Sequence, residues 1–387
     1  MRHVDSKPQT EPERNDSAAP AGHYADHFHL VSAFVSRYTR TALPSTTGCR
    51  GVGGPDMNGQ QMTEAPCLSL SDDTIARAAD LLRSGGLVAF PTETVYGLGG
   101  DACNATAVSR IFAAKGRPAF NPLISHVASA QDAFALGIET PAARLLADAF
   151  WPGPMTLILH RRPDCPIARL TSAGLDRIAL RVPAHEGARQ LLQHFAGPVA
   201  APSANPSGRI SPSRATHVMA GLGHKVDLVL DGGRCSSGVE STVIDASSPQ
   251  PVILRPGGVT HDRIARELAS GGLSLMPAPQ TIKADDRPVS PGQMESHYAP
   301  HARLVMNVTD AQKDMELIGF GAVAGAGQLK LTLSASGDDA EAAANLFDML
   351  HAADRTGTGT IGIAPVPDDG LGEAINDRLR RAAAPRR

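Results

Sequence analysis

Between residues 62 and 272, short apolar runs alternate with helical patterns that carry their own start and stop signals, and this alternation limits the fold more than any other feature. Ser71 stands before Asp72 and Asp73, a hydroxyl cap followed by carboxylates that suit a helix N-terminus. Ile75, Ala78, Leu81 and Leu82 then fall on one face, and Gly85-Gly86 close the helix. Further helices are expected from Asn104 to Lys115, from Thr140-Pro141, over His185 to Phe195, from Ser211-Pro212 through Met219, and from Thr260 to about Leu268. Strands are expected at Leu87 to Phe90, Leu123 to Val127, Met155 to His160, Arg177 to Val182, Val199 to Ala201, Val226 to Leu230, Val239 to Ile244 and Val252 to Leu254. The alternation lacks strict βαβ regularity, which predicts an α/β domain built on a mixed, twisted sheet.

The flanking segments read differently. Residues 1–61 are rich in Pro, Ser, Gly, Asp and Arg without sustained periodicity, so they are expected to be disordered. Met57 and Met62 lie just before the ordered pattern begins, and translation is expected to start near one of them. No basic stretch followed by an apolar one marks a secretory leader. Residues 273–301 read as a linker, and 302–387 as a small second α/β unit, with strands near Leu304 to Val308 and Ile361 to Ala364 and helices near Ala340 to Ala353 and Ile375 to Ala383. A formal charge of −3 supplies no global field for nucleic acid, so any anion site must be local. Five scattered cysteines without a C-x-x-C point to a reducing, cytoplasmic setting rather than a disulfide or zinc framework. No apolar run is long enough to span a bilayer.

Chemistry gathers at strand ends. Phe90-Pro91-Thr92-Glu93-Thr94-Val95-Tyr96-Gly97 packs two hydroxyls, a carboxylate and a phenol behind an apolar strand that Pro91 stops. Taken alone it is a polar turn, but similar stretches follow. Lys115-Gly116-Arg117-Pro118 places two cations around a helix end, with Asn121 and His126 soon after. Pro202-Ser203-Ala204-Asn205 leaves another apolar strand, and Ser211 stands at an expected helix start, where free N–H groups suit phosphate. Arg177 and Arg181 share one strand face. Ser241-Thr242 interrupt a strand, and Arg255-Pro256-Gly257 end one. Several cationic strand ends converging imply a polyanion, most simply a nucleoside triphosphate. There is no P-loop, and Gly357-Thr358-Gly359-Thr360-Ile361-Gly362 follows a helix and opens a strand, the reverse of a dinucleotide fingerprint.

PTETVYGLG, KGRP with NPL, WPGP with T, APSAN with SG and SPS, DGG with GVEST, and RPG occur in that order over about residues 70–260. Together they resemble the threonylcarbamoyl-AMP synthase family, the YrdC-like proteins. Ser290-Pro291-Gly292-Gln293-Met294, His297-Tyr298-Ala299-Pro300 and Asn376-Asp377-Arg378-Leu379 resemble its longer, two-domain branch. The resemblance implies a YrdC-like twisted open sheet with a deep basic cavity, plus a small Rossmann-like C-terminal domain. It implies condensation of L-threonine, bicarbonate and ATP into threonylcarbamoyl-AMP and diphosphate, with Mg²⁺ arriving on the ATP phosphates. A separate transferase complex would then modify tRNA beside the anticodon. Threonine contacts fall by resemblance on Thr94, His126, Arg181, Ala201 and Ser241. ATP contacts fall on Arg117, Asn121, Arg177, Ser203, Ser211, Arg255 and Tyr298, and the catalytic set on Lys115, Arg117, Ser203 and Asn205. Two rivals stay open: an RNA-binding module without chemistry, which the scarcity of aromatics argues against, and a carbamoyl transferase acting on another acceptor.

Overall fold

The computed structural model describes residues 64–277 and 296–385. The N-terminal segment, with Met57 and Met62, and the Ser290 to Met294 motif lie outside the described residues. In chain order the first elements are β1 (Cys67–Ser69), α1 (Asp72–Arg83), β2 (Val88–Phe90), β3 (Gly97–Asp101), α2 (Ala105–Lys115), β4 (Ile124–His126), α3 (Ala130–Leu136) and α4 (Pro141–Phe150). Then come β5 (Met155–His160), β6 (Arg177–Arg181), α5 (Glu186–Phe195), β7 (Val199–Ala200), α6 (Ala215–Leu222), β8 (Leu228–Asp231), β9 (Thr242–Asp245), β10 (Val252–Arg255) and α7 (His261–Ser270). The C-terminal region adds β11 (Arg303–Val305), β12 (Met315–Ile318), α8 (Asp339–Arg355), β13 (Thr360–Ile363) and α9 (Gly372–Ala383).

Strands β1 to β10 form one mixed sheet in the order β1-β8-β2-β3-β7-β4-β6-β5-β9-β10, and β11, β13 and β12 form a small parallel sheet. Local signals account for most helix starts. Ser71 makes a reciprocal capping box with Thr74, Asn104 accepts from two N–H groups of α2, and Thr140 accepts from Ala143 ahead of Pro141.

The glycine run after Tyr96, for which the apolar pattern predicts no strand, is β3, paired with β2 on one side and β7 on the other. Side chains have no room there, so what reads as loop composition is a consequence of close packing. Ser211 caps no helix: α6 starts later, at Ala215, because tertiary bonds hold the preceding chain extended. Tyr96 N–H donates to Pro212 O at 2.8 Å, Cys235 N–H donates to Ser213 O at 3.0 Å, and the Ser211 hydroxyl donates to Glu240 at 2.6 Å. Thr260 precedes α7 as expected, but its side chain makes no capping bond.

The two sheets are joined through packed side chains. Val95, Ile210 and Val239 belong to the same buried cluster as Leu346, Phe347, Ile361 and Ile375 of the C-terminal region. At Gly238, φ is +69° and an added Cβ would stand 2.2 Å from Ala343 O, so the loop before β9 lies directly against α8. Asp348 of α8 pairs with both Arg214 and Arg234.

Candidate functional site

A cavity open to solvent at its mouth lies over the central strands. His126 ends β4 and Arg181 ends β6, directly opposite each other in register. Ile124, His126 and Arg181 therefore face the same way. Gly97 and Ala201 leave space beside them, Arg255 enters from the end of β10, and loops supply Thr92, Thr94, Arg117, Ser203, Glu240, Ser241, His297 and Tyr298. Three guanidinium groups and one carboxylate line the cavity, so it is locally cationic in a chain of net negative charge.

Each arginine is fixed before any ligand arrives. Arg181 is buried; it donates Nη2 to Glu93 Oε1 at 2.6 Å, Nη1 to Thr94 Oγ1 at 3.0 Å and Nε to Gly153 O at 3.3 Å. The second oxygen of Glu93 accepts from Ala184 N–H. Arg117 donates Nη2 to Asn121 Oδ1 at 2.6 Å and to Pro122 O at 2.9 Å. Burial, opposed by Tyr298 but reinforced by the Arg255 charge, pulls its pKa down to about 10. Arg255 donates Nη2 to Ser241 O at 2.7 Å and to Ser241 Oγ at 3.2 Å, and that hydroxyl also meets Thr156 at 2.8 Å. Guanidiniums held this way lose little freedom on meeting a carboxylate or phosphate.

His126 is 3% exposed, and its Nδ1 has no hydrogen-bond partner. Burial first, and the Arg181 charge second, push its pKa down to about 3, so the ring is neutral. His297 is likewise buried with an unpartnered Nδ1, and burial together with Arg117 and Lys115 holds its pKa well below the ordinary value. Neutral imidazoles among arginines can offer ligand contacts without adding charge.

The cavity brings together Thr94, Arg117, His126, Arg181, Ala201, Ser203, Ser241, Arg255 and Tyr298 of the residues expected from sequence. Asn121 lies behind Arg117 as its partner. Lys115 is buried and donates its ammonium to the carbonyls of Ser203 and Asn205, so it braces the Ser203 loop rather than lining the cavity. Asn205 is buried beside it, with Nδ2 donating to Arg209 O at 2.7 Å and Oδ1 unpartnered. Ser211 reaches the site only through Glu240. Arg177 does not reach it: it shares the face of Arg181 but starts β6, about 13 Å back along the strand, and pairs with Asp245. Glu93, Glu240, His297 and Arg378 escaped assignment from sequence. Each lies inside a recognisable motif, and the signal available was chemical: buried arginines require carboxylate partners.

Residues 80–257 match the Sua5–YciO–YrdC family, described as "Telomere recombination". Residues 259–384 match the threonylcarbamoyl-AMP synthase C-terminal domain. A threonylcarbamoyl-AMP synthase of Pyrococcus abyssi is 42% identical over 325 residues, 79% of this chain and 93% of that protein. The chain belongs to the threonylcarbamoyl-AMP synthase family. A namesake in Bacillus subtilis is 40% identical over 339 residues, covering 82% and 95%, and one in Schizosaccharomyces pombe is 34% identical, covering 80% and 88%. The crystal structure of Pyrococcus abyssi Sua5 with L-threonine superposes with a TM-score of 0.73 at 39% identity, over 83% of this chain and 98% of that one. Membership covers both regions, and the overall fold, with its mixed sheet and small parallel sheet, is shared with that Sua5 structure.

Proposed function

We propose that this chain is an L-threonylcarbamoyladenylate synthase, joining L-threonine, bicarbonate and ATP into threonylcarbamoyl-AMP and diphosphate for modification of tRNA next to the anticodon. The observation that carries the reading is the Arg181 site: a buried guanidinium braced by Glu93 and Thr94, beside a neutral His126 and the small Ala201. A planar fork of this kind fits an amino-acid carboxylate. Thr94, His126 and Ser241 would surround the rest of threonine, with Ala201 leaving room for its methyl group.

The chemistry needs no protein nucleophile. The neutral threonine amine adds to CO2 formed from bicarbonate, losing a proton, and gives a carbamate. A carbamate oxygen attacks the α-phosphorus of ATP in line, a P–O bond to the β-phosphate breaks, and diphosphate leaves. Arg117 and Arg255 would spread the charge on the phosphates, with Ser203 and Tyr298 placing the nucleotide and Asn121 holding Arg117; positioning and electrostatics are what this type of transfer requires. Lys115 and Asn205 would act by shaping the Ser203 loop. Glu93 and Glu240 are committed to arginines, and the described residues hold no group of three or more His, Cys, Asp or Glu suited to a metal. Magnesium would therefore enter as part of the substrate, on the phosphates.

On this reading residues 62–272 form the catalytic unit and 302–387 the small one, joined through 273–301. A transferase complex would receive the product by transient contact in the cytoplasm, and weak RNA binding would accompany that contact. No helix among the described residues is long and apolar enough to cross a membrane. The test is diphosphate release from ATP and Mg²⁺, omitting threonine and bicarbonate in turn. A requirement for both supports the reading. Release that ignores threonine would instead favour a carbamoyl transferase with another acceptor.

A further inference from the structure

Arg378 belongs to α9 of the small unit, yet it is fully buried and its guanidinium is spent on the catalytic one. Nε donates to Glu240 Oε2 at 2.8 Å, and Nη2 donates to Pro256 O at 3.0 Å. Nη1 donates to Asp377 at 2.7 Å, and the Tyr298 ring lies 5.4 Å from the guanidinium carbon. Both partners in the catalytic unit adjoin ligand-facing residues. Glu240 lines the cavity and precedes Ser241; Pro256 follows Arg255, which in turn bonds Ser241 O. One side chain of the small unit thus clamps the loop that carries Ser241 to the chain just after Arg255, where β10 ends.

The clamp also settles a charge problem. Glu240 is buried against the cavity, and its other oxygen accepts only a neutral donor, the Ser211 hydroxyl at 2.6 Å. Burial works to raise its pKa, but Arg378 and Arg255 together outweigh burial and keep it ionised. Without Arg378, the compensating cation facing Glu240 among the described residues is Arg255, a guanidinium assigned to ATP.

We propose that Arg378 is a positioning residue for the reaction: by holding Glu240 and the Pro256 backbone, it keeps the Glu240 carboxylate from cancelling the charge that Arg255 directs at the phosphates. The small unit is then a working part of the ATP site. This inference rests on the assignment of Arg255 to ATP.

The experiment is calorimetric titration of the full chain with ATP and Mg²⁺, beside steady-state diphosphate release with threonine varied. Arg378→Gln should weaken ATP binding ~10-fold or more, with a smaller rise in the KM for threonine, whose Arg181 anchor is untouched although Ser241 follows Glu240. Arg378→Lys, which keeps the charge, should bind ATP within about threefold of wild type. The double variant Arg378→Gln/Glu240→Gln, which removes the uncompensated carboxylate, should recover most of the lost ATP affinity. A purely structural role predicts another pattern: less folded protein, unchanged ATP affinity in the folded fraction, and no recovery in the double variant. If Arg378→Gln does not fold, the lysine and double variants decide, and weak ATP binding by both in folded form overturns the proposal. Wild-type protein that binds no ATP would sink the functional reading itself; a folded Arg378→Gln that binds ATP normally would sink this inference alone.

Discussion

Replacing Gly99 by alanine adds one methyl in the middle of β3, and the structure states where it goes. The new Cβ would stand 2.8 Å from Phe90 Cε1, 3.1 Å from Val199 Cγ1 and 3.1 Å from Val88 O. β3 is paired on both sides, so its backbone has little freedom to retreat. The Phe90 ring must move instead. That ring is fully buried and meets His126 edge-on, with centroids 6.2 Å apart. Overpacking of this kind costs roughly 1–3 kcal/mol, which in a domain of this size lowers the melting temperature by about 2–4 °C per kcal/mol. Because the displaced ring leans on His126, threonine affinity should fall several-fold as well. Scanning fluorimetry with and without threonine reads both effects. Gly359→Ala is the control: its Cβ would meet nothing within 4 Å, so its melting temperature should not fall. A Gly99→Ala protein that melts with wild type and binds threonine normally would refute the idea that glycine packing in β3 shapes the site.

Arg181→Ala should abolish the rise in melting temperature that threonine produces. It should also destabilise the empty protein by roughly 3–5 kcal/mol, since it strands buried Glu93; an unchanged threonine response would remove Arg181 from the site. Arg117→Ala should eliminate diphosphate release with an unchanged far-ultraviolet spectrum, and near-normal rates would contradict its place beside the phosphates. Lys115→Met should leave the Ser203 and Asn205 carbonyls unpaired, costing about 1–3 kcal/mol and lowering the rate by loosening the Ser203 loop; full stability with a normal rate would refute the bracing role. His217 and His351 stack with centroids 3.8 Å apart where α6 meets α8. Burial lowers the first to about 3, with the second as next cause, and burial lowers the second to about 4. As pH falls below the ordinary histidine value of 6.5, the unfolded chain takes up protons the folded one refuses. Stability is thus complete above about pH 6.5 and declines towards pH 3–4, by up to about 1.4 kcal/mol per pH unit for each ring. Urea midpoints that stay flat from pH 7 to pH 4.5 would show that these rings do not resist protonation.

Local sequence was enough to place most elements, because Ser71, Asn104 and Thr140-Pro141 act on their own neighbours through capping bonds that need no tertiary context. Motif order was enough to name the family and most of the cavity lining. What sequence could not decide depends on distant partners. Ser211 resembles a helix cap until Glu240, far along the chain, claims its hydroxyl. The glycine run carries no strand signal of its own, and only the closure of Phe90, Val199 and Ile111 around it makes it a central strand. Lys115 reads as a ligand-facing cation, yet the carbonyls it meets come from another motif. Arg177 and Arg181 share a face by periodicity, but only the sheet register puts one beside His126 and leaves the other with Asp245. Capping is a bond between neighbours and is written locally; the pairing of buried charges is a bond between strangers, and only the tertiary structure decides it.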